Sequence, residues 1–144
     1  MHVVQSSEIE AAVQAVGEFL AEIRYTVPQT KTERLDVYWN IGRIVMDTLS
    51  EDGAAPPGQT ALCRLGAALE ESFGCGFSSS NLRNMCRFFK VYLNRDYPAQ
   101  LPWTHCCVLA AVEDAELRQR LTVQAVDRKW TARELRAHIF KLGR

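Results

Sequence analysis

Between Leu62 and Leu93 the apolar residues recur every third or fourth position, stop at a glycine-rich break, and resume on the same period. That spacing is one buried face of a helix and does not suit a strand, whose faces alternate every second residue. Leu62, Leu65, Leu69 and Phe73 form the first face, and Leu82, Met85, Cys86, Phe89, Tyr92 and Leu93 form the second. Gly74 is expected to end the first helix in left-handed backbone and Gly76 to bend the chain again before Phe77, with Ser78 capping the next helix. So short a break allows only a tight corner, and residues 60–93 read as a helix-turn-helix. Opposite its apolar face the second helix carries Ser80, Arg83, Asn84, Arg87 and Lys90, with Ser79 and Asn81 in its first turn. Arg and Lys bind phosphates, Asn and Arg make paired hydrogen bonds to base edges, and a helix N-terminus offers free N–H donors. These seven residues are the expected DNA contacts. A plain helical corner with a solvated polar face has the same pattern.

The flanking segments extend the helical period. Ser7 and Glu10 form an S-x-x-E capping box, after which Ile9, Val13, Val16, Leu20, Ile23 and Val27 predict a helix over about 8–27, ending before Pro28. Thr30 and Glu33 repeat the box ahead of Leu35, Tyr38, Ile41, Gly42, Val45 and Leu49, so residues 1–49 read as a helical hairpin. A glycine inside a helix costs roughly 1 kcal/mol relative to alanine, which points to close backbone packing at Gly42. Residues 50–59 lack periodicity and contain Pro56 and Pro57, so they read as a loop. Beyond Pro102 a short helix is expected over 103–112. Asp114 then caps a helix with Leu117, Leu121 and Ala125 inward, and Thr131 with Glu134 caps a last one with Leu135, His138, Ile139 and Leu142. No period-two alternation or hairpin turn appears. The expected fold is an all-α, compact multi-helix single domain over 1–144 that contains the helix-turn-helix, winged-helix-like only with little or no β-wing.

Charge adds a functional hint that the zero net charge conceals. Residues 1–72 hold five basic and eleven acidic side chains, and residues 73–144 hold twelve and six, so the halves are −6 and +6. A positive half beginning at the polar helix face suits a polyanion, although mutual attraction of the halves gives the same counts. No apolar run reaches membrane-spanning length, and Met1–Ser7 lacks a signal peptide's pattern, so a cytoplasmic protein without membrane contact is expected. Five cysteines with no C-x-x-C pair read as reduced, mostly buried thiols.

Catalytic chemistry finds little support. A metal-dependent nuclease needs clustered carboxylates. Glu113, Asp114 and Glu116 instead sit at a helix N-terminus, where carboxylates meet the helix dipole favourably. His105 adjoins Cys106 and Cys107, but neighbours on a helix point about 100° apart, so a core or capping histidine is the better reading. No catalytic residue, metal or cofactor is expected.

Five ordered motifs spread over nearly the whole chain resemble the N-terminal domain of YhcG-like proteins, a domain of unknown function. They are Tyr38-Trp39-Asn40-Ile41-Gly42-Arg43, Phe73-Gly74-Cys75-Gly76-Phe77-Ser78, Asn81-Leu82-Arg83 through Met85, Leu101-Pro102-Trp103-Thr104-His105 and Trp130-Thr131-Ala132-Arg133-Glu134-Leu135. The resemblance implies an all-helical domain thought to bind DNA, placed before a PD-(D/E)XK nuclease domain in bacterial proteins of mobile elements and defence. The sequence ends at Arg144, where that nuclease domain would begin, so the expectation is a non-catalytic module without it. The Pro56–Pro57 loop also departs from the family, whose members tend to carry a longer charged helical entry there. Trp103, His105 and Trp130 are family features that read as packing anchors. The partners expected are duplex or branched DNA, a separate nuclease subunit and a second copy of the chain. The alternative is a protein-interaction or oligomerisation module of a defence or mobile-element system.

Overall fold

The computed structural model describes residues 4–23, 31–50 and 55–142, with backbone alone at 31–33. Seven helices follow in order: α1 Ser6–Glu22, α2 Lys31–Leu49, α3 Gln59–Phe73, α4 Ser79–Val91, α5 Trp103–Ala110, α6 Ala115–Asp127 and α7 Ala132–Leu142. No strand occurs among the described residues, and the all-α reading holds.

The helices enclose two apolar cores that share α2 and α4. One core gathers Val16 and Leu20 of α1, Val45 and Leu49 of α2, Leu62, Leu65 and Leu69 of α3, and Leu82 and Met85 of α4. The other joins Leu35 and Trp39 of α2 and Phe88 of α4 to Leu109, Leu121 and Leu135 of the last three helices. Standing between them, α2 buries more than the single wide face its sequence suggests: Val37, Trp39, Ile44 and Met46 are also buried, while Tyr38 is half-buried. Its closest approach is to α4. A Cβ placed on Gly42 would lie 2.1 Å from the Met85 carbonyl oxygen, so the two helices touch backbone to backbone there.

The corner between α3 and α4 is a glycine structure, although not in the expected form. Gly74 has φ +93 and ψ −171 rather than left-handed helical angles, and Gly76 has φ +112. Side chains with a Cβ essentially never adopt the Gly74 combination, at a cost of about 1–3 kcal/mol. Nothing lies within 4 Å of a Cβ built at either glycine, so the constraint is one of backbone and not of space. Gly74→Val should therefore lower stability by about 1–3 kcal/mol in urea unfolding. An unchanged midpoint would show that the corner relaxes without cost.

Local capping explains most boundaries. Ser78 Oγ accepts the Asn81 N–H at 3.1 Å, and Asp114 accepts from the Glu116 and Leu117 N–H groups at 3.0 and 3.3 Å. Thr131 and Glu134 close a reciprocal box, both bonds at 3.1 Å. At α1 the box shifts by two residues. Gln5 is the cap and its N–H donates to Glu8 at 3.1 Å, so the helix begins at Ser6 instead of Ser7–Glu10 setting its start. Helix α1 runs to Glu22 and Ile23 is exposed. Val27, Pro28 and the Thr30–Glu33 box lie outside the described residues or side chains, as do positions 51–54 of the loop. Helix α4 stops at Val91, with Leu93 exposed and Phe88 fully buried, against the expected burial of Leu93. Phe73 is also exposed, because its ring packs outward over Gly17 at the surface.

Candidate nucleic-acid interface

The exposed stripe of α4 separates into residues held by neighbours and residues left open. Asn81 is engaged at both ends of its amide. Its Oδ1 accepts from Trp103 Nε1 at 3.0 Å and its Nδ2 donates to the Gly76 carbonyl at 2.7 Å, tying the corner to the start of α5. Gln59, on the first turn of α3, donates to Ser79 Oγ at 3.0 Å and accepts from the Arg83 guanidinium. Ser80, Asn84, Arg87 and Lys90 make no side-chain hydrogen bond or ion pair among the described residues. Arg87 and Lys90 are exposed, one turn apart.

These side chains do not stand clear of the fold. Arg83, Arg87 and Lys90 line a cleft of about 690 Å³ whose walls are Pro56–Pro57 ahead of α3 and the Ala110–Glu113 end of α5. Arg118 of α6 enters the same cleft while its guanidinium holds the Val112 carbonyl at 2.6 Å and the Glu113 carbonyl at 3.2 Å. Four cations thus meet one carboxylate, Glu113, in a single concavity. Mutual attraction of the acidic and basic halves, the alternative reading of the charge counts, is not expressed as a direct ion pair among the described residues. Among the described residues the ion pair is Arg43–Asp47 at 3.6 Å, one turn apart on α2. A second cleft beside Tyr97 sets Asp96 and Asp127 against Arg118, so its charged lining is net acidic.

Sequence reasoning found the α4 stripe and missed Gln59, Glu113 and Arg118. Arg118 could be seen only as one of twelve basic residues in the second half of the chain. Trp103, His105 and Trp130 each make contacts between helices or their connections. Trp103 stacks against Tyr38 at 4.4 Å and meets Phe88 edge-on at 5.1 Å. His105 is buried, and its Nε2 lies 2.7 Å from the Trp130 carbonyl; since a carbonyl only accepts, that nitrogen carries the proton. This bond fixes the α6–α7 connection onto α5. His105 Nδ1 and the Tyr92 hydroxyl are buried without a hydrogen-bond partner among the described residues.

Three of the thiols are poorly placed for nucleophilic chemistry. Burial pushes Cys86, Cys106 and Cys107 up to about 12, only partly opposed by Arg83 at Cys86 and Arg136 at Cys107. All five cysteines are free, but Cys63 and Cys75 are exposed, so "mostly buried" described the set too strongly. Among the described residues no three His, Cys, Asp or Glu side chains converge as metal ligands. None of the described helices is long and apolar enough to cross a membrane.

Comparison with known proteins gives one match. A family model described as the DUF1016 N-terminal domain covers residues 15–142, in agreement with the resemblance carried by the five motifs. No curated protein and no solved structure matches the chain.

Proposed function

This chain belongs to the family of DUF1016 N-terminal domains, and on that premise we propose that it is a DNA-binding module without catalysis of its own. The convergence of Arg83, Arg87, Lys90 and Arg118 on one cleft carries this reading. Phosphates spaced along a backbone neutralise such a row of cations and release counterions, which makes affinity fall with salt. In this reading α3, the glycine corner and α4 act as a helix-turn-helix, with α4 supplying the contact face. Arg83 is oriented by Gln59, while Asn84, Arg87 and Lys90 are open to a ligand. Asn81 and Ser79 serve the corner instead. Cleavage, as in the nuclease-linked arrangement that YhcG-like proteins suggest, would belong to a separate domain or subunit.

Replacing Arg87 and Lys90 together by alanine tests the proposal. Both are exposed, so stability should change by about 0.5 kcal/mol or less for each. The slope of log affinity against log salt in anisotropy titrations should become shallower by about 1.4 to 1.8, two phosphate contacts' worth. A variant that folds normally and binds DNA as tightly as the parent at every salt concentration would remove α4 as the contact surface. The competing reading, a protein-docking module, has support in the apolar groove beside α7. It predicts binding that barely responds to salt.

A further inference from the structure

We propose that the acidic cleft beside Tyr97 binds a small aliphatic diamine, at a site that does not depend on the DNA-binding reading. The cleft opens between α6 and residues 92–102, the connection from α4 to α5, and holds about 460 Å³, within the size range of small-molecule sites. Asp96 comes from the connection and Asp127 from α6, and Val91, Tyr97 and Val126 give the same lining apolar surface. Neither carboxylate has an ion pair or a side-chain hydrogen bond among the described residues. Arg118, the cation of the lining, does not supply one, because its guanidinium is bonded to the Val112 and Glu113 carbonyls. Asp127 is also the last residue of α6, whose last turn has no basic residue, so its charge meets the negative end of the helix dipole. An ammonium there is attracted by both.

The second support is independent of the acidic pair. Tyr92 belongs to the same lining, is only 6% exposed, and has a buried hydroxyl with no hydrogen-bond partner among the described residues. Buried polar groups are nearly always paired, so this one asks for an explanation. Burial raises its pKa, and the ionisable groups near enough to act on it are Cys106, Arg118 and Asp96, two of them cleft residues. The hydroxyl end of the ring therefore lies towards the Asp96 side of the cleft, where one ammonium can donate to both the carboxylate and the phenol oxygen. The second ammonium then meets Asp127, and the methylene chain joining them lies along the apolar lining. A metal ion suits the place less well. Hard divalent cations take six or more oxygen ligands, and no three His, Cys, Asp or Glu side chains converge among the described residues.

Isothermal titration calorimetry of the whole chain with cadaverine, pentylamine, pentanediol and magnesium chloride, at one ionic strength, tests this. Cadaverine should bind one-to-one and more tightly than pentylamine, and pentanediol should not bind. Asp96→Asn and Asp127→Asn should each weaken cadaverine about threefold, the scale of one exposed ion pair. Tyr92→Phe should weaken it about tenfold, the scale of one hydrogen bond to a charged group, with a melting temperature equal to or above the parent's because the deleted hydroxyl has no partner to lose. Replacing Arg87 and Lys90 by alanine should leave cadaverine binding unchanged, which keeps this result separate from any result with DNA. Cadaverine that does not bind, or binds no better than pentanediol, overturns the proposal. So does magnesium bound as tightly as cadaverine, which would mark a general acidic surface. A Tyr92→Phe variant that matches the parent on cadaverine overturns it as well, since the hydroxyl would then have no part in the site.

Discussion

Gly42→Ala should destabilise this domain by about 3 kcal/mol or more, reversing the sign that helix propensity alone would give. At an ordinary helix position the exchange gains roughly 1 kcal/mol. Here the new Cβ would stand 2.1 Å from the Met85 carbonyl oxygen and 2.6 Å from its carbon. Backbone in the middle of α4 cannot swing aside as the end of a flexible side chain can. The helices must separate, and because α2 and α4 pack together more extensively than any other pair, that separation loosens both cores. Overpacking a well-filled core typically costs about 1–3 kcal/mol and more where the neighbour cannot yield. Urea unfolding monitored by circular dichroism reads the effect. A midpoint equal to or above that of the parent would mean that the α2–α4 crossing is not as close as described.

Phe88→Ala should cost about 3–5 kcal/mol, the range for deleting a fully buried aromatic ring. Phe88 has no exposed surface and its ring sits 4.9 Å from Tyr97, 5.1 Å from Trp103 and 5.4 Å from Tyr92. Phe89, one residue on, is only half-buried and touches Trp39 edge-on at 5.1 Å, so Phe89→Ala should cost clearly less. The ordering is the informative part. Should Phe89→Ala prove the more damaging of the two, the rotation of α4 about its axis is misplaced.

That pair of phenylalanines also shows where periodicity stops being informative. A three-four pattern locates the centre of one apolar face, and it chose Phe89. Helix α4 is packed by α2, α3 and α5 at once, so its buried arc is wider than one face and takes in Phe88. Signals that act within a few residues were legible: the caps at Ser78, Asp114 and Thr131, the helix-breaking corner, and the close approach marked by a glycine inside α2. Gln5 escaped because glutamine is not a favoured capping residue, while the serines beside it are. The candidate site divides the same way. Its α4 stripe could be read from spacing, whereas the partners that engage Asn81 and orient Arg83 come from α5 and α3. Nothing local announces that Arg118 reaches the cleft, or that the charges of the two halves do not pair directly across the described residues.

The two cores sharing α2 and α4 have a consequence for how the molecule breathes. Opening either core strips packing partners from the other, so these two helices must melt in one cooperative step, close to global unfolding. Helix α7 is differently situated: it rests chiefly on α5, and Leu135 is its one fully buried residue. Local opening at low free energy therefore concentrates in α7. The apolar groove between α4 and α7 therefore has a fixed floor and a yielding wall that lets its width adapt, whereas the cations of the neighbouring cleft stand on α4 and α6, apart from that wall.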